Sequence, residues 1–193
     1  PELGIETLTL YAFSTENWNR SAHEVESLMR LFRGYLQNKF VSLVESNVKV
    51  KFVGDPKPIA RDLRFQMKSL ERATAKNNGL NLNIALNYGG RDEIIRACKK
   101  IVDQVVRNKI SINSIDQTLF ESHLDTAGQK DPDLIIRTAG EKRISNFLLW
   151  QVAYSEFYYT DLTWPEFTPA DLKLAISELT NRDRTYGKNK VKF

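Results

Sequence analysis

Residues 82–95 read Leu82-Asn83-Ile84-Ala85-Leu86-Asn87-Tyr88-Gly89-Gly90-Arg91-Asp92-Glu93-Ile94-Ile95. Leu82–Leu86 is a short apolar run bounded by turn residues, the pattern of a buried strand. Gly89-Gly90 interrupts it. Asp92 and Glu93 then fall in the first turn of a helix, where acidic residues are enriched. Ile94, Ile95, Ala97, Cys98, Ile101, Val102 and Val105 recur at helical spacing, which predicts a helix over Asp92–Asn108 with those residues as its apolar stripe. A strand running through a glycine turn into a helix is the repeating unit of α/β folds.

The unit recurs on either side. Ile5–Phe13 is apolar and β-branched and predicts a strand. Ser21–Glu45 carries Val25, Leu28, Met29, Leu31, Phe32, Leu36, Phe40 and Leu43 at three- and four-residue spacing, an amphipathic helix. Val48–Val53 predicts a second strand, stopped by Gly54-Asp55-Pro56, and Ala60–Asn78 a helix closed by Asn78-Gly79. Ser114–Leu124 suits a short helix, Asp133–Thr138 a strand and Pro169–Thr180 a last helix. Asn146–Tyr154 is apolar and fits helix or strand, and the aromatic run to Tyr159 suits strand packing. The expected fold is a single α/β domain with a mainly parallel central sheet flanked by helices.

In a parallel sheet all strand C-termini share one edge, and ligands bind outside it. The segments there are Phe13–Arg20, Gly54-Asp55, Asn87–Arg91 and Arg137–Asn146. They bring Arg20, Arg91, Arg137, Lys142 and Arg143 to one edge among hydroxyl, amide and glycine residues. Guanidinium forks match phosphate oxygens bidentately, and glycine lets backbone N–H groups approach them. Ion pairs with Glu16, Asp92 and Glu141 are the bland alternative for any one loop. There is no Walker loop, because no G-K-[ST] follows Gly89-Gly90. His23 and His123 lack the spacing of a metal pair.

Composition is that of an ordinary globular chain, with 41% hydrophobic and 27% charged residues. The net charge of +4 resides in the tail, where Arg182, Arg184, Lys188, Lys190 and Lys192 face only Asp183. The rest is neutral, so no nucleic-acid surface is indicated. The tail suits a frayed end, or attraction to an anionic membrane face or phosphate. No apolar run approaches the ~20 residues of a membrane span. Cys98 stands alone, which excludes an internal disulfide and a multi-cysteine metal site and fits a reducing, cytoplasmic setting.

Taken together, the edge loops resemble the cis-prenyltransferase family of undecaprenyl diphosphate synthases. Tyr11–Arg20 resembles its Y-A-F-S-x-E-N-W-x-R block, and Asn87–Arg91 its N-Y-G-G-R block. Asp131–Thr138, Gly140-Glu141 and Arg143–Gln151 resemble D-P-D-L-x-I-R-T-x-G-E-x-R-[IL]-S-N-F-L-x-W-Q, and Tyr154-Ser155-Glu156 and Trp164-Pro165 fit the stretch that follows. Ser21 replaces a usual proline, and Thr185-Tyr186-Gly187 replaces an Arg-x-Gly ending. The family also begins with a strand and a D-G-N-x-R-W loop that these residues do not contain. The resemblance therefore implies a prenyltransferase domain over 1–187 lacking its first strand and diphosphate loop, a basic tail over 188–193, and a natural chain with a further N-terminal segment.

The implied activity is condensation of isopentenyl diphosphate with an allylic diphosphate, farnesyl diphosphate above all, in Z configuration. The product is a long-chain polyprenyl diphosphate such as the bacterial cell-wall lipid carrier. By resemblance Ser14, Thr15, Glu16, Trp18 and Arg20 surround the reacting ends, with Glu24 ordering the loop and Asn17 as the catalytic residue. Arg137, Arg143, Ile144 and Ser145 hold isopentenyl diphosphate, and Glu156 ligates Mg2+. A buried carboxylate needs a cation or hydrogen-bonded partner, and Arg143 is the alternative partner for Glu156. A neutral amide is a poor base, so Asn17 is expected to position a phosphate oxygen or water that takes the proton. A homodimer through Asn146–Tyr159 and peripheral membrane contact through the lipid product are also expected. The rivals are a non-catalytic partner subunit and a phosphate-binding domain without chemistry.

Overall fold

The computed structural model describes residues 3–182; the basic tail over 188–193 and Thr185-Tyr186-Gly187 lie outside them. The described residues form five strands and five helices, alternating as far as α3: β1 (Thr7–Ser14), α1 (Ala22–Glu45), β2 (Lys49–Val53), α2 (Arg61–Thr74), β3 (Asn81–Tyr88), α3 (Gly90–Val106), α4 (Gln117–Glu121), β4 (Leu134–Arg137), β5 (Glu156–Tyr159) and α5 (Pro169–Thr180). Short 3₁₀ turns occupy Thr15–Asn19 and Ile112–Ser114. The expected α/β class and parallel pairing are present.

The strands form two sheets, one in each of two compact units, residues 1–129 and 130–193. In the first unit the order is β1-β3-β2, and Asn81 pairs with both Thr7 and Lys49 in parallel register. Central β3 is buried from Leu82 through Tyr88, which explains its near-continuous apolar sequence. Its polar exceptions are bonded, as burial requires. Asn83 donates to Thr9 Oγ1 at 3.1 Å and to Gln129 Oε1 at 2.6 Å, and accepts from Gln129 Nε2 at 3.0 Å. In the second unit β4 and β5 pair in parallel, Leu134 with Glu156 and Arg137 with Tyr159.

The core of the first unit lies between the sheet and helices α1 and α2. Leu36, Leu63, Met67 and Leu70 meet Val50, Leu82, Ile84 and Leu86 there, each buried side chain contributing about 1.5–3 kcal/mol. Asn47 and Asn108, just beyond α1 and α3, have φ of 56° and 54°, the left-handed conformation that ends helices.

Three local expectations need correction. Helix α2 stops at Thr74, not Asn78: the backbone tightens there into three-residue turns, Ala75 N–H donating to Arg72 O at 3.3 Å and Asn77 N–H to Thr74 O at 3.0 Å, while the Thr74 hydroxyl accepts Val50 N–H at 3.1 Å. The stripe of α3 is narrower than predicted, with Ala97 and Ile101 buried and Ile95 and Val102 53% and 58% exposed. Residues 146–154 are neither helix nor strand but successive turns. The left-handed residues Ser145, Asn146 and Leu148 account for this, since regular structure cannot pass through them.

Gly54 follows β2 with φ of 120°, and a β-carbon there would strike the carbonyl oxygens of Leu86 and Asn87, the second at 2.8 Å. Both obstacles are backbone of the central strand and cannot rotate away. Gly54→Ala should therefore destabilise the fold by about 3 kcal/mol or more. Urea denaturation would measure it, and a loss under about 1 kcal/mol would show that the turn relaxes.

Candidate functional site

In the first unit the parallel register sends the ends of β1, β2 and β3 to one edge. Ser14 closes β1 and donates its N–H to Asn17 Oδ1 at 2.9 Å. The Asn17 carbonyl is thereby engaged, so its N–H groups are what it can offer a phosphate oxygen. Thr15 Oγ1 donates to Glu16 at 3.0 Å, and Arg20 pairs with Glu24 at 2.7 Å on an exposed surface. Trp18 packs edge-on against Phe13, ring centroids 5.2 Å apart. Its indole N–H donates to Asn87 Oδ1 at 2.7 Å. A cavity of about 420 Å³ opens beside it, lined among others by Trp18, Met29, Leu63 and the charged Glu26, Arg30 and Arg33. Its size suits a small ligand. The two arginines lie on a helix that sequence periodicity presents only as an apolar stripe.

Behind this edge lies a polar network with no local sequence signal. Glu93 is 1% exposed and accepts from Tyr88 Oη–H at 2.5 Å and from Asp125 N–H at 2.7 Å. Asp125 in turn accepts both prongs of Arg96 at 2.8 and 2.7 Å and the Gly54 N–H at 2.9 Å. Burial, reinforced by the Glu93 charge, pushes the Tyr88 hydroxyl far above the ordinary tyrosine range, so Tyr88 stays a donor. Burial alone would lower Arg96, but Asp125 and Asp92 outweigh it and hold the guanidinium charged. Burial also lowers Lys51, partly offset by Asp125, Glu71 and Glu93. Together these groups lock the turn after β2 to the start of α3.

In the second unit Arg137 closes β4, its carbonyl accepting Thr160 N–H at 3.0 Å. The loop beyond holds Ala139, Gly140, Ser145, Asn146 and Leu148 at φ of 62°, 67°, 49°, 62° and 46°. Non-glycine residues in this region cost about 1–2 kcal/mol each, and such strain clusters at functional loops. Backbone bonds sustain it: Ala139 N–H to Leu162 O at 2.8 Å and Gly140 N–H to Thr160 O at 2.9 Å. Exposed Arg143 and half-buried Ile144 and Ser145 sit on this loop, and Arg143 pairs with Glu141.

Glu156 opens β5. The register places it opposite Leu134, so Arg137 lies three residues along the pair, roughly 10 Å, and on the alternate face. Its partner is Arg182, Nη1 at 2.8 Å, and not Arg143. Among the described residues no group of three or more His, Cys, Asp or Glu side chains could hold a metal. Glu156 therefore fits magnesium only in the sparse mode this ion favours, with one carboxylate and the remaining positions filled by phosphate oxygens and water. Among the described residues no helix is long and apolar enough to cross a membrane.

The geometry can be set beside known proteins. Residues 1–187 match the prenyltransferase family model that describes undecaprenyl diphosphate synthases. An isoprenyl transferase of Bacillus subtilis is 48% identical over 96% of this chain and 72% of its own. A ditrans,polycis-undecaprenyl-diphosphate synthase of Haemophilus influenzae, described as specific for (2E,6E)-farnesyl diphosphate, is 43% identical over 96% and 78%. Among solved structures, lavandulyl diphosphate synthase from Lavandula x intermedia, in complex with dimethylallyl diphosphate, superposes with a TM-score of 0.93 at 37% identity. That match covers 97% of this chain and 81% of the other.

Proposed function

The chain belongs to the undecaprenyl diphosphate synthase family of prenyltransferases, and from that premise we propose that it elongates farnesyl diphosphate with isopentenyl diphosphate in Z configuration to a long-chain polyprenyl diphosphate. The observation that carries this reading is the strained loop beyond Arg137. It keeps Arg143 and Ser145 at a strand end on backbone that costs energy to hold.

In this reading Arg137, Arg143 and Ser145 bind the isopentenyl diphosphate, with Ile144 against its apolar part. Ser14, Thr15, Glu16 and Arg20 surround the reacting ends, and Glu24 steadies Arg20. The allylic C–O bond breaks, its electron pair leaving with the diphosphate, and the isopentenyl double bond attacks the allylic carbon. Trp18 covers that carbon and excludes water from the developing cation. A proton then leaves the new unit, taken by a phosphate oxygen or water that the Asn17 amide holds in place. Magnesium, held by Glu156, would supply charge neutralisation for the departing or bound diphosphate.

Labelled isopentenyl diphosphate, farnesyl diphosphate and magnesium given to the intact natural protein should yield labelled polyprenyl diphosphates with new Z double bonds. Binding without incorporation would instead indicate a phosphate-binding domain.

We also place the protein in the cytoplasm as a homodimer, touching the membrane through its lipid product. Tyr154 and Tyr159, 69% and 41% exposed, support self-association through this stretch, since exposed apolar clusters tend to be covered by partners. Sedimentation should give a dimer at micromolar concentration, and a stable monomer would overturn it.

A further inference from the structure

We propose that Asn87 is a positioning residue of the prenyl-transfer site, fixing the Trp18 indole at the carboxyl edge of the sheet. The proposal rests on Trp18 covering the reacting isoprenoid.

Asn87 is the next-to-last residue of the central strand and is 3% exposed, with φ of 50°. Asparagine tolerates this conformation where most residues do not. Both ends of its side-chain amide and its main-chain oxygen are used. Its Oδ1 accepts the Trp18 indole N–H at 2.7 Å, and its Nδ2 donates to Asp55 O at 2.8 Å. Its main-chain oxygen accepts Asp55 N–H at 3.2 Å. One buried amide thus ties the segment after β1 and the turn after β2 to the end of β3.

Trp18 depends on that tie. Trp18 is 37% exposed, and its ring meets Phe13 edge-on. The Asn87 acceptor fixes where the indole N–H points, a direction that edge-on packing against Phe13 does not set. The same ring is a wall of the cavity between α1 and the 58–63 segment, so its orientation sets the shape of that wall. The amide is also suited in a way its acid is not. An aspartate would keep the acceptor for the indole but set a buried carboxylate against the Asp55 carbonyl. Asn87 moves no proton and is placed to act only through Trp18.

The test uses the ¹⁵N-labelled intact protein. Trp18→Phe identifies the Trp18 indole Nε1–H signal by its disappearance. Asn87→Gly tolerates the positive φ and deletes both side-chain bonds. It should shift the Trp18 signal and speed its solvent exchange. The kcat/KM for farnesyl diphosphate should fall roughly three- to tenfold, the size of one net hydrogen bond, while the KM for isopentenyl diphosphate stays within about twofold. The Asn87→Gly/Trp18→Phe pair should lose no more than its worse single member, as residues acting through one another do. Asn87→Asp, which keeps the acceptor, should leave indole exchange nearer the natural value than Asn87→Gly. An unmoved Trp18 signal in Asn87→Gly overturns the proposal, as do losses that multiply in the double variant or equal exchange in the two Asn87 variants. If the unsubstituted protein elongates no allylic diphosphate, the functional reading fails by itself, and the indole signal still decides the Asn87–Trp18 tie.

Discussion

Glu156→Gln should abolish magnesium-dependent elongation, by at least a hundredfold in kcat, and leave the protein folded. The glutamine keeps size and shape but removes the charge that a hard divalent ion requires. Each tenfold loss corresponds to about 1.4 kcal/mol of lost transition-state stabilisation, and metal neutralisation of a diphosphate supplies several. Stability should hardly change. The Glu156 and Arg182 side chains are 31% and 37% exposed, and so solvated a pair is worth less than about 1 kcal/mol.

The rival role for Glu156 is to hold Arg182, which also donates to Phe157 O at 3.0 Å. Arg182→Met separates the two. If the carboxylate serves the ion, this variant keeps its magnesium response, with the midpoint shifted by no more than a few-fold. If it serves the arginine, both variants lose activity alike. A magnesium titration of Glu156→Gln that matches the unsubstituted protein would end the metal assignment. The register makes this an exacting test, because Glu156 begins its strand while Arg137 ends the neighbouring one on the other face.

What the sequence disclosed follows physical range. Strand β3, the turn at Gly89-Gly90 and the start of α3 are legible because periodicity and turn chemistry act over a few residues. Gly54 is legible as punctuation, yet its need for glycine comes from the Leu86 and Asn87 carbonyls, which only the folded register brings near. Glu93 looks like an ordinary first-turn acid, and its burial becomes visible only through Tyr88 and Asp125. Arg96 and Asp125 are 29 positions apart and share no pattern. The turns over 146–154 were not legible either, because Ser145 and Leu148 are not residues that usually adopt left-handed backbone. The local elements were therefore open to sequence, and the second layer of contacts that holds the edge loops was not.

Arg143→Ala should raise the KM for isopentenyl diphosphate roughly 10- to 150-fold, corresponding to loss of one charge-assisted contact of about 1.5–3 kcal/mol. The KM for the allylic primer should stay within about twofold. Arg143 is 66% exposed and its partner is Glu141 on the same loop. Such a pair is weakly held, so the guanidinium turns to a diphosphate at little cost and its removal scarcely affects stability. Arg143→Lys should fall between, because it keeps the charge but loses the planar fork. Arg137 differs in being fixed at the end of β4, where its backbone is paired to Thr160. If the two arginines grip one diphosphate, Arg137→Ala/Arg143→Ala will lose less binding than the two single losses combined, since neither remaining arm holds the ligand well alone. Raised salt should weaken the natural protein's binding more than that of either variant, as fewer charges remain to be screened. An equal rise in KM for both substrates would place Arg143 at a shared or structural position, and strictly multiplying losses would assign the two arginines to different phosphates.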